Sequence, residues 1–141
     1  INHTRWTYNS GVMIQVGIEM FEITGKQNYL DEAVSASQGA YDFFVKPRNG
    51  LAISYPDHDP WFNTKLLDAY IDVEPYFQAA KDYIDNYLNF INYGYENART
   101  SEGFFYEDWT GESPKRYYSL LMQASVVESY GALSVFYEEA F

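Results

Sequence analysis

From Val12 to Ile23 the chain is almost continuously apolar, with only Gln15, Glu19 and Glu22 as a thin polar stripe. On a 3.6-residue wheel Val12, Val16, Met20 and Ile23 form one face and Ile14, Ile18 and Phe21 the next, which predicts a helix walled in on most sides. The next segment reads differently. Over Leu30 to Phe44 the residues Leu30, Ala33, Val34, Ala40, Tyr41 and Phe44 share one face, while Asp31, Glu32, Ser35, Gln38 and Asp42 share the other. That is the pattern of an outer helix with water along one flank. Between the two, Thr24-Gly25-Lys26 offers a glycine for the left-handed residue past a helix end, in a loop too short for anything but an antiparallel return.

The contrast repeats down the chain. Lys46 to Pro60 carries three prolines, Asn49-Gly50 and the cluster Asp57-His58-Asp59, and reads as a long loop with a short strand at Leu51 to Ser54. Trp61 to Ile71 predicts a second inner helix, through Phe62, Leu66, Leu67, Tyr70 and Ile71. Pro75 is expected in the first turn of an outer helix, where its missing N–H costs nothing, and Tyr76, Ala80, Tyr83, Ile84, Tyr87, Leu88 and Ile91 continue at helical spacing. A second loop is expected from about Tyr93 to Lys115, with Gly94, Gly103, Gly111 and Pro114 among Phe104, Phe105, Tyr106 and Trp109. Arg116 to about Glu139 then predicts a last inner helix. The fold class is therefore all-α, a toroid of helical hairpins whose odd helices line the hole, and five helices leave such a ring open.

Composition narrows the partners. The 141 residues fit one partial domain, 1–141, and 20 Asp and Glu against 9 Lys and Arg give a formal charge of -11. That charge repels phosphate backbones and anionic lipid heads, so neither nucleic acid nor a membrane is an expected partner. It suits a neutral glycan. No apolar run reaches the roughly 20 residues needed to cross a bilayer. There is no cysteine, hence no disulfide or thiolate chemistry. Because the chain begins at Ile1 rather than Met, it is expected to be part of a longer protein, with any export signal upstream. The 15 Tyr, 10 Phe and 3 Trp supply many flat apolar faces with polar edges, which either fill space between helices or, where they stand in loops, meet sugars.

The stretch from Thr7 to Ala33, TYNSGVMIQVGIEMFEITGKQNYLDEA, resembles the Tyr-Asn-Gln-Gly segment and following hairpin of glycoside hydrolase family 76, the endo-α-1,6-mannanases. Trp61-Phe62-Asn63-Thr64-Lys65 resembles that family's aromatic-Lys-Gly stretch before an inner helix, and Gly103-Phe104 through Trp109 to Gln123 resembles its end. Ser10 stands where the family usually has Gln, and Asn63 where it usually has Lys. The resemblance implies the second half of an (α/α)6 barrel from an exported enzyme, periplasmic, cell-surface or extracellular, acting on an α-mannan-like poly- or oligosaccharide. Its first half would be the other partner. The family's catalytic carboxylates form an adjacent Asp-Asp pair upstream of the Tyr-Asn segment, and no Asp-Asp occurs here, so no catalytic residue is expected in this segment.

The candidate substrate-binding residues are Tyr8, Asn9, Trp6, Trp61, Trp109 and Gln123. Tyr8 and Asn9 precede an inner helix whose N-terminus would face the cleft, and either aim at sugar hydroxyls or, with Asn9 or Ser10 as N-cap, merely close the helix. Trp6, Trp61 and Trp109 either stack on a pyranose face or pack. Gln123, polar on an otherwise apolar helix, needs a buried partner, a substrate or a backbone group. Glu107-Asp108 mimics an acid pair but reads as solvated loop carboxylates. Asp57-His58-Asp59 lacks the pattern of a calcium loop and has too few histidines for zinc. No metal or cofactor is expected. Two rivals remain open: a non-catalytic glycan-binding α/α toroid, and a helical-repeat module that binds protein.

Overall fold

A computed structural model describes residues 4–56, 60–110 and 118–138. Its helices are α1 (Thr7–Thr24), α2 (Gln27–Phe44), α3 (Pro60–Val73), α4 (Ala80–Asn97) and α5 (Leu120–Glu138), with a two-stranded antiparallel hairpin, β1 (Lys46–Arg48) and β2 (Leu51–Ser54), between α2 and α3. None of the described helices is long and apolar enough to cross a membrane.

The helices alternate as their patterns require. Helix α1 packs against α2 and α3, and α3 against α1, α4 and α5, so that α3 is the middle of three inner helices with α2 and α4 behind it. Leu66, Leu67, Tyr70 and Val73 of α3 and Ile84, Tyr87 and Ile91 of α4 are fully buried between these layers. The two outer helices meet through the Tyr41 and Tyr83 rings, stacked 3.9 Å apart, and Asn86 donates to the Tyr41 hydroxyl at 2.6 Å. A buried hydroxyl chain joins three helices: Thr64 and Ser129 lie 3.0 Å apart, and Tyr87 and Ser129 3.1 Å apart.

Connections differ sharply between the two ends. At one end Gly25, at φ 67°, donates its N–H to the Phe21 carbonyl and ends α1 in a single left-handed residue. At the same end residues 74–79 link α3 to α4 by consecutive tight turns, with Tyr76 and Phe77 donating to Val73 and Ala80 to Phe77. At the other end stand the hairpin and the loop from Ala98 to Ser119, together with the N-termini of all three inner helices.

Several boundaries differ from the sequence reading. Helix α1 starts at Thr7, so Asn9 and Ser10 lie in its first turn and neither is the N-cap; Trp6 holds that position without a side-chain bond. Pro75 is in the turn, five residues before α4, because the short turns of residues 74–79 use the backbone donors that a longer helix would have needed. Helix α4 runs on through Tyr93 to Asn97, its apolar face closing under Trp109. Helix α5 opens at Leu120, where Ser119 accepts the Met122 N–H at 3.3 Å as a cap. The strand expected at Leu51 to Ser54 has its partner in Lys46–Arg48, joined by Asn49 and Gly50, both at positive φ.

The largest departure concerns the apolar faces. Ile14 and Ile18 are buried, but Met13 is 64 % and Val16 49 % exposed, and on α5 Leu120 is 85 % and Val127 72 % exposed. The bare faces belong to the first and last inner helices, the two rims of an open arc, whereas both flanks of α3 are covered.

Candidate functional site

Two glycine-tight helices bring one aromatic group together. A Cβ on Gly11 would lie 2.9 Å from the Lys65 carbonyl carbon and 3.2 Å from the Leu66 nitrogen, so α1 and α3 touch backbone to backbone, and their N-terminal turns run side by side. In that place the Tyr8 and Trp61 rings stack, 6.0 Å apart with planes 16° from parallel, while Phe62 sits 4.6 Å from Tyr8, 4.3 Å from Trp61 and 5.3 Å from Trp6. All four rings are half-buried: held by one another and still open to a ligand. Of the candidates named from sequence, Trp6, Tyr8 and Trp61 thus share one site. Asn9 is exposed and, by helical spacing, projects from the flank of α1 turned away from Gly11 and α3.

One turn deeper the concave face becomes charged. Lys65 follows Trp61 at the i+4 position and donates to Asp68 at 3.1 Å and to Glu128 of α5 at 2.5 Å. Gln15 of α1 donates to Asp72 at 2.7 Å, so side chains of all three inner helices meet across the arc. A hollow of about 480 Å³, lined by Gln15, Asp68, Ile71, Asp72, Ala132 and Val135 among others, marks that concave side. The hydrogen bond to Glu128, against the opposing effect of burial, raises the Lys65 pKa; burial raises that of Asp68 against the pull of Lys65. A lysine shared by two carboxylates holds both as anions, which does not provide the protonated acid and free base of a catalytic pair. None of these residues was found from sequence, since Lys65 and Glu128 are 63 positions apart and no local pattern links them.

Among the described residues no group of three or more His, Cys, Asp or Glu could hold a metal ion. A family model for glycosyl hydrolase family 76 matches residues 1–140. The chain belongs to glycosyl hydrolase family 76. No curated protein matches it. Solved structures do: a family 76 glycoside hydrolase from a bovine Bacteroides thetaiotaomicron strain, at TM-score 0.82 and 21 % identity, covers 94 % of this chain and 29 % of its own. A family 76 mannosidase from Bacteroides thetaiotaomicron aligns at TM-score 0.83 and 23 % identity, over 98 % of this chain and 38 % of that one. The α-1,6-mannanase of a Salegentibacter species aligns at TM-score 0.68 and 20 % identity, over 95 % and 41 %. This chain therefore spans well under half the length of those structures, and its five helices are part of the (α/α)6 fold.

The remaining candidates of this family 76 chain stand apart from the aromatic group. Trp109 is 3 % exposed, its ring on Gly94, where a Cβ would come within 2.9 Å of it, and 5.3 Å from Phe90. Gln123 accepts from the Phe105 N–H at 2.8 Å and donates to the Phe105 carbonyl at 2.9 Å, so its amide clasps the loop to α5. Asp108, read from sequence as solvated, is buried: its carboxylate accepts from both the N–H and the hydroxyl of Thr110, each at 2.7 Å. Asn63 is buried and donates to the Pro56 carbonyl at 2.8 Å, anchoring the end of the hairpin loop. The cluster Asp57-His58-Asp59 lies outside the described residues.

Proposed function

We propose that this chain is the C-terminal half of the barrel of an exported retaining glycosidase acting on α-1,6-linked mannan, and that it furnishes one wall of the substrate cleft without the catalytic aspartates. The observation that carries the reading is the stack of Tyr8 on Trp61, half open at the N-terminal ends of two inner helices. A pyranose lies its apolar C–H face on such a ring, and the neighbouring phenol edge and Trp6 fix its orientation. Membership of the family supplies the glycan, and the mannosidase and α-1,6-mannanase among the similar structures supply the sugar and linkage.

In this reading the chain's own residues bind and orient. Trp61, Tyr8 and Trp6 receive sugar rings, Asn9 offers an amide at the mouth, and Gln123 and Trp109 hold the 98–110 loop that borders the cleft. The carboxyl pair, roughly 5 Å apart in retaining enzymes, comes from the rest of the barrel, which also covers the bare faces of α1 and α5. Ring binding lowers the barrier only to the extent that it favours the distorted sugar of the transition state.

The test is hydrolysis of α-1,6-mannan by the parent protein, with the anomeric form of the product followed by NMR. Retention is expected, and Trp61→Ala should lower kcat/KM by roughly tenfold to a hundredfold, the equivalent of about 1.4–2.8 kcal/mol. A parent that binds mannan without cleaving it would instead be a glycan-binding toroid. An unaltered kcat/KM in Trp61→Ala would remove the aromatic pair from the cleft.

A further inference from the structure

Beside the aromatic group, on the other side of Phe62, lies a cavity of about 430 Å³ between the start of α1, the end of α2 and the hairpin. Its lining includes Thr4, Arg5, Thr7, Phe43, Arg48 and Phe62, and no carboxylate among the described residues. In a chain of net charge -11 that is an unusual place. Two of the four arginines in the sequence meet there, on segments more than 40 positions apart. The Arg5 guanidinium lies over the Phe43 ring, 4.8 Å from its centroid, so one face is held by the aromatic while its N–H edge is available for a planar contact.

We infer that this cavity is a subsite for a sugar carrying an anionic group, a phosphate ester or a carboxylate, adjoining the proposed glycan cleft. Guanidinium groups bind such oxyanions through paired N–H donors, with a directionality an ammonium lacks. The threonine hydroxyls at positions 4 and 7 add donors, and Phe62, whose neighbours are Trp6, Tyr8 and Trp61, forms the wall shared with the cleft. Overall negative charge does not forbid this. At physiological salt the Debye length is about 8 Å, so remote carboxylates are largely screened while two arginines in direct contact are not. The subsite rests on the glycan reading, and it extends that reading from neutral mannan to chains bearing anionic substituents.

The experiment is titration calorimetry of the parent protein with methyl α-mannoside, its 6-phosphate and methyl glucuronoside, on the wild type and on Arg5→Gln, Arg5→Lys and Arg48→Gln. The phosphate is expected to bind at least tenfold more tightly than the neutral mannoside. Each glutamine variant should bring that ratio close to one without changing neutral binding, and Arg5→Lys should keep part of the preference. A glucuronoside that binds like the phosphate supports a general oxyanion site, and one that binds like the neutral sugar assigns it to phosphate esters. Equal affinity for neutral and charged mannosides overturns the subsite and leaves the glycan cleft standing. If Trp61→Ala leaves mannan hydrolysis unchanged and none of the three sugars binds, the cleft reading fails and the subsite with it. Unfolding curves of the variants that match the wild type exclude loss of the fold as the cause.

Discussion

Replacing Gly11 by alanine tests the geometry on which the aromatic group depends. The added Cβ would stand 2.9 Å from the Lys65 carbonyl carbon and 3.2 Å from the Leu66 nitrogen, backbone atoms that no rotamer change can move aside. Carbon atoms in contact prefer about 3.5–4.0 Å, so α1 and α3 must part by somewhere near 0.6–1 Å. Overpacking of this kind costs about 1–3 kcal/mol, while the better helix propensity of alanine returns nearly 1 kcal/mol. A net loss of about 1–2 kcal/mol is expected. Gly39, exposed in α2 with nothing within 4 Å of its Cβ position, is the matched control: there alanine should gain about 0.5–1 kcal/mol. Urea unfolding followed by circular dichroism gives both values. Because the Tyr8–Trp61 stack sits one turn from Gly11, mannan binding should also weaken in Gly11→Ala and not in Gly39→Ala. If both variants gained stability alike, the backbone contact between α1 and α3 would be refuted.

Two further outcomes follow from buried polar groups. Burial raises the pKa of Tyr55 and Tyr70 and pushes that of Tyr87 up to about 12, so these phenols stay protonated in the fold while the unfolded chain ionises them from about pH 10. The unfolded state then binds fewer protons, and stability must fall as pH rises: Tyr87 alone costs roughly 3 kcal/mol between pH 10 and pH 12. Urea midpoints at pH 9, 10 and 11 check this, and midpoints independent of pH would contradict it. Gln123→Leu should strip the Phe105 N–H and carbonyl of their shared partner, at about 1–3 kcal/mol, and speed hydrogen exchange at the Phe105 amide by about tenfold or more. An unchanged exchange rate there would mean that the clasp does not hold the loop.

The periodicity of Leu30, Ala33, Ala40 and Phe44 was enough to orient α2, because every one of those residues is buried as its spacing demands. Val12 and Val16 carry the same kind of signal, yet both stand half exposed. A hydrophobic pattern records the surroundings in which a sequence was selected, and for this family those surroundings include helices beyond the five described. Pro75 misled for a local reason: both a helix start and a tight turn accept its fixed φ, and only the backbone bonds of residues 73–80 decide between them. At the site, Trp6, Tyr8 and Trp61 were reachable through the resemblance of their segments to a family. The Lys65–Asp68–Glu128 group was not, since the meeting of α3 with α5 is a fact of tertiary packing. Asp108 looked solvated because charge in a loop usually is, and Thr110, two residues on, is what allows its burial.

The unequal ends of the arc divide its labour. One end spends a single left-handed residue, Gly25, and a few short turns on reversing the chain, which leaves no slack for change. The opposite end holds the hairpin and the 98–119 connection, so lengthening or trimming either one there would reshape a recognition surface while the helical frame kept its register. Diversification among such proteins is therefore channelled to one pole, and a graft of new specificity has a natural point of entry.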